Sequence, residues 1–387
     1  MKKKLKIIHA IQGMGKGGAE RYAADACIAL QAQGHEVKLV NFGMSNAYSF
    51  LTNHIDYVTC DSFVQPSISG KSKIHIKDWE NIIADFEPDI IHTHLFKAEM
   101  TAKYKIHPGL TYVSTCHNNM PEFENFNFSK ATKKLMWTHQ YEKRWMIKKY
   151  DECQNNFITI SRDTQEFYNK SLPKNLTKKV SLLYNAINFE RFNAVRRNKS
   201  HSLDQIRMIY AARYTSYKNH IFLIDVVQYL KKLNKDVSLV LLGEGPEMKS
   251  VEKRVRELNV EDQVQILGNV DNVEDYFKDA NVFVHPATYE PFGLVIIEAM
   301  AAGLPAICLD GKGNRDLIEN GKNGYMIMEE NAAFFAEKII EVVENPEAYQ
   351  TLSDQAVEYA EQFDINVHAR KLTDYYLSCI KEKSVAP

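Results

Sequence analysis

Two glutamates, Glu290 and Glu298, mark the part of the sequence with the most chemistry, and seven residues lie between them. Glu290 is expected on a loop after a strand, and an apolar helix is expected to begin at Leu294. Glu298 interrupts this apolar run, where an acid is costly unless it is paired or binds a ligand. The amides of residues 292–294 would face a bound anion at the helix start. The pattern predicts a ligand site at this loop.

Two cations, Arg213 and Lys218, flank the turn after a predicted strand at residues 208–212. A guanidinium at a strand end and an ammonium at the start of the next helix can converge on one phosphate group. Ordinary surface charge is the alternative interpretation. The position at a strand end favours the phosphate, so we expect this pair to bind one.

A glycine loop, Gly13-x-Gly15-x-x-Gly18, lies between the first predicted strand and helix, and formally matches the dinucleotide fingerprint. That fold needs an acid at the end of the second strand, whereas residues 40–42 are Val-Asn-Phe. A P-loop is excluded, because Ala19 follows Gly18 where lysine is required. We therefore interpret the loop as a turn whose amides face an anion or allow a ligand to approach closely.

Three histidines lie near predicted strand ends. His92 and His94 are two residues apart and therefore share one face of a strand. With His117 they suggest a metal triad, but no nearby carboxylate has a ligand spacing, so hydrogen-bonded core or cleft residues are preferred. His117 follows an apolar strand at its carboxyl end, where α/β proteins build their sites, and is predicted to be functional.

Strands and helices alternate along the chain in two series. The first has strands at residues 5–11, 37–42, 89–94, 112–116, 157–160 and 180–183. Residues 185–204 are polar and are expected to be a linker. The second has strands at 208–212, 237–242, 264–267, 282–285 and 306–309. For 387 residues, two successive doubly wound α/β domains are the economical solution, with the active site in a cleft between them.

The composition excludes several classes of protein. Lys and Arg number 48 and Asp and Glu 49, which argues against a dedicated nucleic-acid binder. No apolar run reaches the ~18 residues of a membrane helix, so we expect a cytoplasmic protein. The six cysteines are scattered without Cys-x-x-Cys spacing, so neither a zinc site nor a disulfide framework is expected.

Taken together, these motifs resemble the large retaining glycosyltransferase family four. The Glu290–Glu298 segment resembles its signature, and Arg213 with Lys218 resembles its phosphate-binding pair. His117 resembles the histidine at the active-site edge of its N-terminal domain. Its glycine loop and its Gly-Asp/Glu-Gly-Pro turn have counterparts in Gly17-Gly18-Ala19-Glu20-Arg21 and Gly243-Glu244-Gly245-Pro246. The motifs follow the family order from residue 13 to about residue 324, nearly the whole chain.

The resemblance implies the GT-B fold, in which two Rossmann-like, doubly wound α/β domains face each other across a cleft. Residues 1–190 would form the acceptor-side domain and residues 191–365 the domain that binds the nucleotide-sugar donor. The terminal helix, residues 366–382, would pack back on the first domain.

The resemblance also implies a role for each matched residue. Arg213 and Lys218 would hold the diphosphate, Glu298 the ribose, and Glu290 with the amides of 292–294 the sugar. Asn314 and Arg315 are further candidates for sugar contact or for facing the other domain. The implied catalytic residues are His117, Arg213, Lys218 and Glu290, and the implied donor-binding residues are Gly17, Gly18, Gly243, Leu267, Gly268, Val270, Phe292, Gly293, Leu294 and Glu298.

The implied reaction is retaining transfer of a hexose or N-acetylhexosamine from a nucleotide-sugar, as a UDP-sugar, to a lipid-linked or polysaccharide acceptor. Capsule or lipopolysaccharide synthesis is the expected setting. No Asp-x-Asp cluster is present in the sequence, so the cations are expected to replace a metal, and no cofactor is expected. The loops at 42–70 and 120–134 carry no family motif, which leaves the acceptor open.

Each alternative function would require a different set of residues. A non-catalytic nucleotide-sugar sensor would keep Glu298 but lose Arg213, Lys218 or Glu290, and all are present. A same-fold epimerase or glycogen phosphorylase would need signatures of its own. An oxidoreductase would need the missing acid of the second strand.

Residues 128–150 combine seven basic residues with one acid. Trp137, Tyr141 and Trp145 recur every four residues and are expected on one helix face. A basic helix with an aromatic stripe is typical of an interfacial membrane binder, and an ordinary domain helix with core aromatics is the alternative. In the first case an anionic membrane surface is a partner and the acceptor is lipid-linked. The basic residues are Lys130, Lys133, Lys134, Lys143, Arg144, Lys148 and Lys149.

Overall fold

The computed structural model describes residues 3–67, 71–124, 134–196 and 205–385 and divides into two compact units. The first unit comprises Met1–Ala186 and Ile365–Pro387, and the second Ile187–Asp364. The division after Ala186 precedes residue 190, because a helix at Phe189–Asn193 packs against a helix at Leu294–Ala301 in the second unit. Part of the expected linker is therefore helical, and its residues 197–204 lie outside the described residues.

The first unit contains a seven-stranded parallel sheet and a small antiparallel ribbon. The sheet order is β3-β2-β1-β6-β7-β8-β9, and β4 pairs with β5 in the ribbon. The strands are β1 (Lys6–Ile11), β2 (Glu36–Asn41), β3 (Asp56–Thr59), β4 (Phe63–Gln65), β5 (Lys73–His75), β6 (Ile90–His94), β7 (Thr111–Cys116), β8 (Asn156–Thr159) and β9 (Val180–Leu182).

Helices connect the strands of this sheet, as a parallel sheet requires. They are α1 (Gly18–Ala32), α2 (Ser49–Thr52), α3 (Lys77–Phe86), α4 (Phe96–Ala102), α5 (Lys134–Cys153), α6 (Arg162–Ser171) and α7 (Lys174–Thr177), with a short 3₁₀ turn at Pro121–Phe123.

The second unit repeats the architecture with six parallel strands in the order β12-β11-β10-β13-β14-β15. They are β10 (Ile206–Ala211), β11 (Val237–Leu242), β12 (Val264–Ile266), β13 (Val282–His285), β14 (Ala306–Leu309) and β15 (Gly324–Ile327). The helices are α8 (Phe189–Asn193), α9 (His220–Lys232), α10 (Met248–Glu257), α11 (Val273–Asp279), α12 (Leu294–Ala301), α13 (Ala332–Val343) and α14 (Pro346–Glu361), with 3₁₀ turns at Ser216–Lys218 and Gly313–Asp316.

The C-terminal helix α15 (Ile365–Val385) belongs to the first unit and packs on α1. Tyr22 and His368 join the two helices through a 2.7 Å hydrogen bond between the hydroxyl and Nε2. His35, in the turn after α1, bonds Thr373 of α15, with 3.1 Å between Nε2 and Oγ1. Both contacts are buried, so α15 is a fixed part of this unit.

The expected fold class, two Rossmann-like α/β domains, is confirmed. The prediction omitted β3, the ribbon β4–β5 and β15. These strands have three or four residues each, and β5 is exposed throughout. Short strands without a buried apolar run give little periodic signal, which explains the omission.

Candidate active site

A buried ionic cluster lies at the carboxyl end of the second sheet. Lys218 precedes α9, His285 ends β13, and Glu290 lies on the loop before α12. The Lys218 Nζ lies 2.6 Å from Glu290 Oε2, and the His285 Nε2 lies 3.0 Å from the same oxygen. His285 is fully buried and Glu290 nearly so. One carboxylate oxygen therefore receives two donors, one from the loop after β10 and one from the end of β13.

The protonation states in this cluster follow from its geometry. Burial opposes ionisation of Glu290, but Lys218 and His285 outweigh it and hold the pKa of the carboxyl well below its usual range. Burial lowers the pKa of His285 despite the opposing effect of Glu290, so the imidazole is neutral and donates from Nε2. A carboxylate with a lowered pKa is a weak base and is suited to accepting hydrogen bonds.

The two predicted phosphate-binding cations differ in their surroundings. Arg213 is exposed on the loop after β10 and makes no ion pair with the described residues. Lys218 is held by Glu290, and its side chain is mostly buried. The structure places both on one short loop, between Ala211 and His220. Their joint contact with a phosphate stays a prediction.

Glycines allow three backbone loops to meet at this edge of the sheet. Gly243 has φ +124°, and a Cβ there would lie 2.1 Å from the Ala212 oxygen. Its amide donates to the Gly268 carbonyl at 2.6 Å, and the Tyr214 amide donates to the Glu244 carbonyl at 3.0 Å. The loops after β10, β11 and β12 are thereby joined, so the loop with Arg213 is held by backbone contacts. Leu267 and Val270 lie half-buried beside Gly268.

The loop before α12 is built around Gly293, which has φ +107° directly before Leu294. The Glu290 amide donates to the Gly311 carbonyl at 2.8 Å, and a Cβ on Gly313 would lie 2.1 Å from the Pro291 oxygen. These contacts fix the main chain where the predicted anion-binding amides lie.

The other predicted residues near α12 divide into structural and accessible groups. Phe292 is buried against Phe363, with 6.0 Å between ring centroids, so only its backbone can reach a ligand. Glu298 is half-buried rather than enclosed in the apolar run, because it lies on the less buried side of α12. Asn314 is fully buried and shapes the loop, and Arg315 is exposed and pairs with Asp310.

The glycine loop of the first unit is closed by Asn41, the last residue of β2. Its Oδ1 accepts hydrogen bonds from the Gly13 amide at 2.7 Å and the Gly43 amide at 2.8 Å. A Cβ on Gly43 would lie 2.9 Å from the Gly13 Cα. The position that would hold an acid for a dinucleotide ribose therefore serves the loop itself. Gly17 precedes α1 in extended conformation, and Gly18 is its first residue.

The histidines of the first sheet form a hydrogen-bonded chain. His117 Nε2 lies 2.9 Å from His94 Nδ1, and His94 Nε2 lies 2.9 Å from His9 Nδ1. The three rings with ligand atoms close together are His9, His92 and His94, so His117 is not in a triad with His92 and His94. Every nitrogen of that buried trio already has a hydrogen-bond partner, which favours a proton network over a metal site.

Sequence reasoning missed His285 and His9 as site residues. His285 is the last residue of an apolar strand in the second sheet, and His117 directly follows an apolar strand in the first. The argument from position that indicated His117 would therefore have found His285 as well. His9 lies inside β1 and pairs in register with His92 of β6, which no sequence spacing reveals.

Two family models together match most of the chain. The model described as Glycosyltransferase Family 4 matches residues 16–191. The model described as Glycosyl transferases group 1 matches residues 192–360. The boundary between the two matches lies close to the boundary between the structural units.

Known proteins resemble this chain over most of its length. The putative glycosyltransferase EpsD of Bacillus subtilis (strain 168) is 26% identical over 323 residues, which cover 79% of this chain and 82% of that protein. A Campylobacter jejuni protein is 25% identical over 374 residues, which cover 95% and 98%. Its name is N-acetylgalactosamine-N,N'-diacetylbacillosaminyl-diphospho-undecaprenol 4-alpha-N-acetylgalactosaminyltransferase.

Among solved structures, Anabaena HepE in complex with UDP-glucose superposes with a TM-score of 0.76. The match covers 97% of this chain and 100% of HepE at 20% sequence identity, so it shows a shared fold. Two Rossmann-like units with this match show the GT-B fold. With the two family models, they show that the chain belongs to glycosyltransferase family 4.

Proposed function

We propose that this protein is a retaining, metal-independent glycosyltransferase that transfers a hexose or N-acetylhexosamine from a UDP-sugar to a lipid-linked or polysaccharide acceptor in cell-surface glycan synthesis. The observation that carries the proposal is the Lys218–Glu290–His285 cluster at the carboxyl end of the second sheet. The UDP-glucose named for HepE supports the donor class. The name of the Campylobacter relative supports an N-acetylhexosamine and a diphospho-undecaprenol acceptor.

The cluster is suited to stabilising a nucleoside diphosphate as it leaves the sugar. Negative charge develops on the diphosphate as the glycosidic bond breaks, and fixed cations and amides stabilise it without reorganisation. Arg213 is exposed and uncompensated by the described residues, Lys218 is oriented by Glu290, and the α12 N-terminus adds its dipole. We assign the diphosphate to these groups and the ribose to Glu298.

Glu290 is assigned to the sugar hydroxyls rather than to covalent catalysis. Its Oε2 already accepts from Lys218 and His285, and its lowered pKa makes it a weak base and nucleophile. Retention then requires attack on the face that the diphosphate leaves, with the leaving phosphate accepting the proton of the acceptor hydroxyl. No carboxylate–sugar bond forms in this scheme.

A cavity of about 390 Å³ in the first unit is proposed to bind part of the acceptor. It is bordered by Gln12 after β1 and by Glu122, His139 and Glu142. Burial and the neighbouring Glu122 raise the pKa of Glu142 to about 7, against the opposing effect of Lys97. Carboxylate and imidazole groups are suited to hydrogen bonding with sugar hydroxyls.

The described part of α5 supports delivery of this acceptor at a membrane surface. Trp137 and Tyr141 are exposed, and Arg144 and Lys148 continue the same exposed stripe at helical spacing. Trp145, expected on this face, instead stacks on Tyr104 with 6.2 Å between centroids. No helix of the described residues is long and apolar enough to cross a membrane. Residues 128–133 lie outside the described residues.

We expect UDP and the matching UDP-sugar, but not NAD, to raise the melting temperature, because Asn41 occupies the position where a dinucleotide-binding fold needs an acid for the ribose. A hundredfold excess over Kd stabilises by about 2.7 kcal/mol. A panel of UDP-sugars, each with and without excess EDTA, measures this effect and selects the donor.

The UDP-sugar that this panel selects is then the substrate in a hydrolysis assay in excess EDTA. Because cations of the chain are assigned the role of a metal, hydrolysis should continue at an unchanged rate. Strict dependence on Mn²⁺ or Mg²⁺ would contradict metal independence, and a response to NAD alone would contradict the donor class.

We expect the protein to bind vesicles that contain phosphatidylglycerol and to release them as salt rises. Each basic residue near such a surface contributes about 1 kcal/mol. Replacing Trp137 and Tyr141 by Ser and Arg144 and Lys148 by Gln should abolish sedimentation with vesicles. Exposed Lys249 and Lys253 of α10, replaced by Gln, form the control that removes two charges from the second unit.

Both variants should keep the UDP-induced rise in melting temperature. Wild-type protein that ignores these vesicles at low salt would show that the stripe is structural, and an equal loss in the α10 control would show nonspecific charge attraction.

A further inference from the structure

An unbroken chain of hydrogen bonds runs from Thr115 through the first sheet to His117. His92 Nε2 lies 2.7 Å from Thr115 Oγ1, and His92 Nδ1 lies 2.5 Å from the Tyr376 hydroxyl. The same hydroxyl lies 3.3 Å from His9 Nε2. From His9 the chain continues through His94 to His117 Nε2. Strands β1, β6 and β7 and helix α15 each contribute a member.

Every histidine in this hydrogen-bonded chain is a neutral imidazole. Burial lowers the pKa of His9 and His117 to about 3 and that of His94 well below its usual value. The neighbouring Lys103 and His368, which face the cluster from the end of α4 and from α15, act in the same direction. Burial raises the pKa of Tyr376 far above neutrality, so its hydroxyl is intact. Each ring therefore carries one N–H proton, on one of its two nitrogens.

Neutral rings allow only two consistent arrangements of protons along the chain. In the inward arrangement, His117 donates from Nε2 and every bond points toward Thr115, whose hydroxyl accepts from His92. In the outward arrangement, the Thr115 hydroxyl donates to His92 Nε2, and every bond points toward His117. Mixed arrangements place two protons or none in one hydrogen bond. The tautomer of His117 is thus coupled to the direction of the Thr115 hydroxyl.

Thr115 decides between these arrangements. It is fully buried, and its Oγ1 has no hydrogen-bond partner other than His92 in the part of the chain that the structure describes. The inward arrangement leaves the hydroxyl proton without an acceptor, which is costly for a buried donor. In the outward arrangement the hydroxyl donates that proton to His92 Nε2, which accepts the hydrogen bond. At the other end, His117 Nδ1 makes no hydrogen bond to the described residues. No contact there sets the direction of the hydrogen bonds.

We propose that Thr115, His92, Tyr376, His9 and His94 are positioning residues that hold His117 as the Nδ1–H tautomer, a fixed hydrogen-bond donor at the carboxyl end of β7. The Nδ1–H group of His117 would donate a hydrogen bond to an acceptor oxygen of a ligand, such as a sugar hydroxyl or a phosphate. The identity of that ligand rests on the proposed function, whereas the tautomer does not. Such a histidine does not act as a base through Nδ1, because that nitrogen already carries its proton.

The test is nitrogen-15 NMR of the histidine rings in the unliganded full chain, with His117 assigned by the signals lost in His117→Gln. Two-bond couplings distinguish the Nδ1–H tautomer, the Nε2–H tautomer and the charged ring. In wild type we expect the Nδ1–H form of His117 to exceed the other by about tenfold or more, from pH 6 to pH 8.

Thr115→Val removes the hydroxyl that sets the direction, and Thr115→Ser is the matched control that keeps it. Thr115→Val should change His117 to a mixture of tautomers, whereas Thr115→Ser should retain the wild-type spectrum. Tyr376→Phe breaks the chain at a second point and should also produce a mixture.

An Nε2–H or charged His117 in wild type would overturn the proposal, as would a wild-type spectrum in both folded Thr115→Val and folded Tyr376→Phe. If neither variant folds, the wild-type tautomer alone decides. Failure of the UDP-sugar panel leaves this result unaffected, so the two proposals fail separately.

Discussion

Lys218→Ala is expected to lower donor turnover by about 10²- to 10³-fold, equivalent to about 3–4 kcal/mol of transition-state stabilisation. The variant removes a cation assigned to the leaving diphosphate, in a site where Lys218 is already oriented by Glu290 at 2.6 Å. Because the Lys218 side chain is mostly buried and held by Glu290, little reorganisation is needed as charge develops. Hydrolysis of the donor selected by the panel, measured at saturation, gives the change in kcat.

Loss of the ion pair needs to be separated from loss of catalysis. Removing one partner of a buried pair costs about 3–5 kcal/mol of stability, because the other charge stays buried. Lys218→Met combined with Glu290→Gln removes both charges and should recover much of the melting temperature without recovering turnover. Lys322→Ala, which removes an exposed lysine paired with Glu319, is the control. Turnover within threefold of wild type in folded Lys218→Ala would refute the assigned role.

Glu298→Gln is expected to weaken UDP binding by about ten- to a hundredfold, because it removes a charged hydrogen bond assigned to the ribose, worth about 1.5–3 kcal/mol. Glu290→Gln should leave UDP affinity nearly unchanged and lower turnover. Glu290 is assigned to the sugar, which UDP lacks, so its neutralisation does not remove a contact with UDP. Isothermal calorimetry with UDP and with UDP-sugar compares the two variants.

Glu319→Gln is the matched control for both substitutions, since Glu319 lies on the same unit and its partner Lys322 is exposed. It should bind UDP as wild type does. Equal losses of UDP affinity in Glu290→Gln and Glu298→Gln would show that the division of roles between ribose and sugar is wrong.

Much of the fold was accessible from the sequence because a buried parallel strand produces a continuous apolar run. The predicted bounds of β11, β13 and β14 agree with the structure to the residue. The ribbon β4–β5 was not predictable in this way, because it is short and mostly exposed and its pairing joins residues about ten apart. Local periodicity thus identified the elements that the core enforces.

In the candidate site, too, the sequence indicated some features and not others. The sequence indicated Glu290 and Lys218 by residue type and by position after a strand, but their contact joins residues 72 apart. It also indicated three aromatics on α5, and in the structure Trp145 is half-buried against Tyr104 while Trp137 and Tyr141 remain exposed. A helical period shows which side chains share a face, but not where a neighbouring element covers that face.

By itself, the sequence determined the alternating α/β pattern, the family motifs and the residue types available at strand ends. Only the tertiary structure decided that His285 donates to Glu290, that Asn41 closes the glycine loop, and that His9 lies beside His92 and bonds His94. The physical reason is that hydrogen bonds and pKa values depend on distances across the sheet. Strand order and register set those distances, and neither is encoded in the spacing of residues along the chain.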